Sequence, residues 1–150
     1  MQLANNEELD TFLKIHPSVK MMEVLMIDMN GIIRCKRIPR SEFAELFTEG
    51  LKSPASTVLL NVKGEFCDEL DKADLDGDPD RLIRPIKNTL SIIPWLESET
   101  AQVLSTFTEL NGEPNLFDSR NVLINSLKPL YALGLKLVVA TELEFYLIKK

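Results

Sequence analysis

This chain is poor in the features that most quickly assign a protein to a class. It has two cysteines, one histidine and one tryptophan in 150 residues, and no excess of positive charge. Cys35 and Cys67 have no metal-type spacing, so they read as free thiols of a reducing compartment rather than as a disulfide framework. With 17 basic against 23 acidic residues the net charge is −6, which argues against a general binder of phosphate backbones. The N-terminus shows no basic stretch followed by an apolar run, so no signal peptide is apparent, and no apolar run is long enough to span a bilayer. The expected location is the cytoplasm, with neither nucleic acid nor membrane as partner. Repeats and low-complexity tracts are also missing. His16, the single histidine, precedes Pro17 at the end of a helical stretch and reads as a capping or surface residue.

What remains is ordinary soluble composition, 45% hydrophobic and 27% charged, over a length that suits one domain or one small domain with part of another. Asn6 to Ile15 is expected to be helical, capped by Asn5 or Asn6 ahead of Glu7 and Glu8. Met22 to Asp28 and Ile32 to Ile38 form a hairpin about Met29-Asn30-Gly31. Four basic residues, Arg34, Lys36, Arg37 and Arg40, crowd the return strand. They suit either a solvated, charge-guarded edge or an anion or subunit-interface site. A helix follows, with Ser41 as N-cap, an apolar stripe of Phe43, Leu46 and Phe47, and Gly50 as terminator. Strands are expected over Thr57 to Val62, over Glu65 to Asp68, in the Arg81 to Pro94 stretch, and over Thr100 to Leu110. Asp118 should cap a helix that ends near Leu133 and Gly134, kinked at Pro129. The acidic loop Asp68 to Asp80 alternates aspartates but puts Pro79 and Pro85 where a calcium loop from Asp74 needs glycine and glutamate. The fold class is α+β, consistent with a β-grasp in which a sheet folds around one helix.

The stretch richest in chemical implication is Leu137 to Ile148, apolar and β-prone but broken by Glu142 and Glu144. On a strand, side chains two apart share a face. Two carboxylates on one face of a buried strand repel each other and lose hydration. A divalent cation with a taste for oxygen, Mg²⁺ or Mn²⁺, removes both penalties. The alternative is an edge strand with solvated glutamates. The chain stops directly after this strand, which reads as the truncation of a longer protein.

Several short motifs, in order, carry a resemblance. They are Ile27-Asp28-Met29-Asn30-Gly31-Ile32-Ile33-Arg34 with Lys36-Arg37-Ile38-Pro39, then Gly77-Asp78-Pro79-Asp80 before a strand ending Ile93-Pro94-Trp95. Gln102-Val103-Leu104, Asn111-Gly112-Glu113-Pro114, Asp118-Ser119-Arg120 and Glu142-Leu143-Glu144-Phe145-Tyr146-Leu147 follow. Together they resemble the N-terminal part of the glutamine synthetase family, in its γ-glutamylpolyamine (γ-glutamylputrescine) synthetase-like branch.

The resemblance implies a β-grasp N-terminal domain over 1–112, then the first helix and strand of a truncated catalytic α/β domain over 113–150. It implies an ATP-dependent ligase that phosphorylates the γ-carboxylate of glutamate and lets an amine displace the phosphate, with Mg²⁺ or Mn²⁺ as cofactor. Glu142 and Glu144 would be ligands of the nucleotide-side and glutamate-side metals. No catalytic residue is assigned within this chain, and the chain alone is expected to be inactive. The family also implies homo-oligomers built as stacked rings. In the family a loop after the first helix of this domain carries an aspartate that helps bind ammonium; here it reads Ser53-Pro54-Ala55-Ser56-Thr57, with Pro54 at the aspartate's place. A proline cannot hold a cation, which turns the expectation toward a larger amine or toward Glu65 or Asp68 in the aspartate's stead. Ser53, Ser56, Thr57, Glu65 and Asp68 are therefore the substrate-loop candidates. Cys35 and Ser119 are further departures, standing where glycine and proline are usual. The competing expectation is a non-catalytic β-grasp module for binding or assembly. The acceptor amine is left open among ammonia, putrescine, other polyamines and aromatic amines.

Overall fold

A computed structural model describes residues 2–66 and 77–149. Helix α1 (Asn6–Ile15) opens it, followed by the antiparallel pair β1 (Met21–Ile27) and β2 (Ile33–Pro39). A single 3-10 turn, Arg40–Glu42, leads into α2 (Phe43–Thr48), then β3 (Leu51–Pro54) and a second 3-10 segment, Ala55–Leu59. Strands β4 (Asp80–Pro85), β5 (Ser91–Ile92) and β6 (Thr100–Thr108) and helix α3 (Ser119–Ala132) complete the order. The chain is mixed α+β, as expected.

The sheet runs β2-β1-β6-β4-β3, with β5 also paired to β6. Its centre is parallel, because β1 and β6 align Met21 with Thr100 through Leu25 with Leu104. It curls far enough for its two edges to meet: the Lys36 ammonium on β2 donates to the Lys52 carbonyl on β3 at 3.2 Å. Strand β1 alternates strictly, burying Met22, Val24 and Met26. These pack with Ile38, Phe43, Leu46, Phe47, Ile83, Val103 and Phe107 into one core. A fully buried side chain of this kind contributes about 1.5–3 kcal/mol.

Helix α1 begins as expected, with the Asn5 side chain accepting from the Glu8 amide at 3.1 Å. His16 caps its other end through its backbone amide, and its ring Nδ1 meets a Glu99 carboxylate oxygen at 2.9 Å.

Several elements differ from expectation for identifiable reasons. Ser41 makes no capping bond; the helix is entered through the 3-10 turn that follows Pro39. Gly50 does end it, at φ +87, where a Cβ would fall 2.8 Å from the Ile83 carbonyl. Thr57 to Val62 is not a strand. The pairing residues come earlier, Leu51 opposite Ile83 through Pro54 opposite Asp80, and Ala55–Leu59 then coil tightly. The Arg81 to Pro94 stretch is split into β4 and β5 by a turn in which Asn88 takes φ +64. Glu65 and Phe66 lie outside any strand; Cys67, Asp68, Asp74 and Asp76 lie outside the described residues.

The largest difference is at the end. Leu137 to Ile148 belongs to no helix and no ladder, and it is not buried: Val138, Tyr146 and Ile148 are 90%, 95% and 91% exposed. A strand needs neighbours to take up its amides and carbonyls, and no strand among the described residues pairs with this segment.

Candidate functional site

The expected substrate loop is held from two sides. Asp28 sits at the tip of the β1–β2 hairpin with its side chain fully buried. One carboxylate oxygen accepts the amides of Asn30 and Ile32, each at 2.9 Å. The other takes the Arg34 guanidinium at two points, Nε at 2.9 Å and Nη2 at 2.8 Å. Both nitrogens meet the same oxygen, and the charge on each partner strengthens the hydrogen bond. The tip then grips the end of the 3-10 segment and the chain that follows it. The Met29 amide donates to the Val58 carbonyl at 3.0 Å, Asn30 Nδ2 to the Leu60 carbonyl at 2.8 Å, and Arg34 Nη2 to the Asn61 carbonyl at 2.8 Å.

From the other side, the Asp78 carboxylate accepts both the Ser56 amide at 3.0 Å and the Ser56 hydroxyl at 2.5 Å. Asp78 does this at φ +57, a region that side-chain-bearing residues seldom adopt. Ser56 is therefore buried and its hydroxyl proton is committed. Ser53 Oγ and Thr57 Oγ1 lie 3.4 Å apart, so the structure brings Ser53, Ser56 and Thr57 onto one short segment. Glu65 is exposed and stands apart, its carboxylate accepting from Asn61 Nδ2 at 3.3 Å. Asp68 lies outside the described residues. The sequence offered Asp28 only as part of a motif, Asp78 as part of a motif and of the acidic loop, and Arg34 as part of a motif and of the basic cluster. The pairing of Asp78 with Ser56 spans 22 positions, a separation at which no local pattern signals contact.

Each of the four basic residues of β2 and its end has an acceptor within this chain. Arg34 holds Asp28, Arg37 pairs with Glu23, Lys36 reaches Lys52, and Arg40 donates to the Pro17 and Val19 carbonyls.

A second polar cluster joins α3 to the sheet. Asp118 caps α3 by accepting from the Arg120 amide, and its other oxygen takes the Thr106 hydroxyl at 2.8 Å and the Phe107 amide at 2.7 Å. Asn121 donates to the Phe107 and Asn115 carbonyls, each at 3.0 Å. These buried groups are satisfied by one another, as an interior requires.

No family model matches the chain. It does match curated proteins along most of its length. It is 33% identical over 147 residues to γ-glutamylputrescine synthetase of Escherichia coli (strain K12), which covers 98% of this chain and 31% of that protein. The chain is homologous to the glutamine synthetase family. It is also 33% identical over 124 residues to a glutamate–isopropylamine ligase of a Pseudomonas species, covering 81% of this chain and 27% of that protein. With the glutamine synthetase of Pyrococcus horikoshii it shares 29% identity over 132 residues, 88% of this chain and 26% of that protein. The chain thus spans less than a third of the length of these glutamine synthetase-type relatives, and the motifs' resemblance to the γ-glutamylputrescine branch agrees with the first of them.

Glu142 and Glu144, the expected metal ligands of a glutamine synthetase-type chain, lie on the exposed terminal segment, outside any helix or strand. Their oxygens are the donor type Mg²⁺ and Mn²⁺ take. Among the described residues, however, no group of three or more His, Cys, Asp or Glu side chains is arranged to hold an ion. Two carboxylates are part of a donor set, not a complete one.

Proposed function

We propose that this chain is a portion of an ATP-dependent ligase that joins an amine to the γ-carboxylate of glutamate. The carboxylate takes the terminal phosphoryl group of ATP, releasing ADP. The amine nitrogen then attacks the acyl carbon, phosphate leaves, and the nitrogen gives up a proton. A bound divalent metal would neutralise charge on the transferring phosphoryl group. Glu142 and Glu144 would hold part of its coordination, completed by residues other than those described. The observation that carries this reading is the similarity to γ-glutamylputrescine synthetase across 98% of the chain.

The domain reading goes with it: a β-grasp domain over 1–112 and the start of a catalytic α/β domain over 113–150, in a homo-oligomer of stacked rings. On this reading Ser53, Ser56 and Thr57 lie on the loop that meets the amine. Two relatives carry organic amines in their names, and Pro54 offers no charge to an ammonium ion. Both favour an organic amine over ammonia. Among the described residues no helix is long and apolar enough to cross a membrane.

The test is phosphate release from ATP and glutamate by the protein that carries this chain, against a panel of ammonia, alkylamines, diamines and aromatic amines. Release driven by at least one amine is expected, and release driven by none overturns the proposal. The 150-residue chain by itself should release no phosphate. One observation favours a second reading, a non-catalytic assembly module: the exposure of Glu142 and Glu144 without a third ligand. In that case the full protein would assemble normally yet hydrolyse no ATP.

A further inference from the structure

Ser56 lies in the middle of the loop that the ligase reading turns toward the amine, yet its own hydroxyl is out of play. The residue is 2% exposed, and its hydroxyl proton goes to the Asp78 carboxylate. The groups left to a ligand are its neighbours. Ser53 and Thr57 are half-buried, with their hydroxyl oxygens 3.4 Å apart. They meet, four positions apart, because the chain between them turns into the 3-10 coil of Ala55–Leu59. That coil is a short one with no side-chain cap of its own. Its shape is held from outside.

Two contacts hold it. The Met29 amide fixes its end through the Val58 carbonyl at 3.0 Å. Asp78 fixes its middle, taking the Ser56 amide at 3.0 Å and the Ser56 hydroxyl at 2.5 Å. A carboxylate that accepts from both places the main chain and the side chain together, and its charge strengthens each bond.

Asp78 is itself braced. It takes φ +57 directly after Gly77 at φ +75. A residue with a side chain seldom adopts that conformation, and it persists where the surroundings enforce it. The enforcement is visible. The Pro79 carbonyl accepts from Arg81 Nη1 at 3.3 Å, and Arg81 is paired in turn with Glu109. The other Glu109 oxygen accepts from Asn115 Nδ2 at 2.7 Å. A line of polar contacts thus runs from Ser56 to the cluster beneath α3.

We infer that Asp78 is a positioning residue for the amine: through Ser56 it fixes where the Ser53 and Thr57 hydroxyls stand when the amine arrives. The inference rests on the ligase reading above. Its test is steady-state phosphate release by the full-length protein that carries this chain. The amine is putrescine or, where putrescine drives none, the panel amine that does.

Asp78→Ala should raise KM for the amine about tenfold and leave KM for ATP and for glutamate within about twofold. Loss of folded enzyme alone would lower kcat and leave every KM where it was. Asp78→Asn keeps an acceptor for the Ser56 amide and tolerates positive φ, so it should restore most of the amine KM. Asp78→Gly frees the backbone but offers no acceptor, and should behave as Asp78→Ala does. Ser56→Ala loses the hydroxyl bond and keeps the amide bond. It should raise the amine KM about threefold, and it carries the test should Asp78→Ala fold poorly. Glu113→Gln, on the exposed turn after β6, should move no KM.

An amine KM unchanged in Asp78→Ala and in Ser56→Ala would overturn the inference and leave the ligase reading standing. So would rescue by glycine as complete as by asparagine, or a rise shared equally by all three substrates. Release driven by no amine in the wild-type protein would overturn the ligase reading, and this inference with it.

Discussion

Strand β6 and the segment from Leu137 to Ile148 carry similar sequence signals and meet opposite fates. Both are runs of apolar and β-branched residues relieved by polar ones. Strand β6 has β1 on one side and β4 and β5 on the other, and Ala101, Val103 and Phe107 are almost wholly buried. The terminal segment has no ladder partner among the described residues, and Leu143, Phe145 and Leu147 are 87%, 77% and 90% exposed. The pattern of a buried strand states what its neighbours must supply; it does not supply them. Burial, and with it stability, then depends on pairing rather than on composition.

The sharpest way to break that comparison is to truncate a phenylalanine in each region. Phe107→Ala removes a ring that is 1% exposed and should cost about 3–5 kcal/mol. Phe145→Ala should move stability by no more than about 0.5 kcal/mol. Urea denaturation followed by far-UV circular dichroism reads both. Equal losses would mean that the terminal segment is packed in solution.

The next largest effect lies at the hairpin tip. Asp28→Ala strands Arg34, whose side chain is 20% exposed, and frees two amides and the grip on Val58–Asn61. Breaking a buried pair costs about 3–5 kcal/mol, and partial solvation of the arginine lowers this to roughly 2–3 kcal/mol. Asp78→Ala should cost less, about 1–2 kcal/mol for two hydrogen bonds, because it leaves no buried cation without its partner; alanine is no better suited than aspartate to the positive φ there. Amide hydrogen exchange should rise at Ser56 in Asp78→Ala and at Asn30 and Ile32 in Asp28→Ala. Exchange unchanged at Ser56 would show that the 3-10 segment holds its shape without Asp78.

Where the sequence was legible, the deciding contacts are local. Helix α1 is bounded by Asn5, Glu7, Glu8 and Pro17, all within a turn of its ends, and its expected and observed limits coincide. Asp118 and Gly134 bracket α3 in the same way. The hairpin followed from Asn30-Gly31, although its loop is closed by the Asp28 carboxylate. What was not legible depends on distant partners. Thr57-Val58-Leu59-Leu60 has strand-like composition, yet Pro54 and the far side chain of Asp78 make its beginning a 3-10 turn. The four cations near β2 were plain in the sequence, but which acceptors consume them was not. The candidate site divides similarly: Ser53, Ser56 and Thr57 come together, while Asp78, which holds Ser56, and Asp28 and Arg34, which hold the chain just after it, were visible only as members of motifs or of charge clusters.

Cys35, exposed on the edge strand β2, tests the rim of the packed region by pH. Partial loss of hydration raises its thiol pKa above the ordinary value, and the Glu23 carboxylate raises it further against the opposing effect of Arg37. Folding therefore favours the protonated thiol. The contribution is present at neutral pH and is lost as pH rises through the ordinary thiol range toward the raised value, so stability falls with rising pH there. In a Cys67→Ser background, the pH midpoint for alkylation of Cys35 should lie higher in the folded chain than in urea. Coincident midpoints would mean that the β2 edge gives the thiol no more shelter than open solvent.

The smallest expected effect is the most informative about the terminal segment. Replacing both carboxylates, Glu142→Gln with Glu144→Gln, removes two like charges from residues that are exposed and outside any ladder. In that setting their repulsion is screened by water and salt, so the denaturation midpoint of the 150-residue chain should not move. If the two side chains shared one face of a buried strand, the repulsion and lost hydration would be felt in full, and neutralising them would raise the midpoint. A raised midpoint would therefore place the segment in a sheet within the chain. An unchanged one leaves the carboxylate pair as an unassembled half of a site, free to take a cation only when other ligands are brought to it.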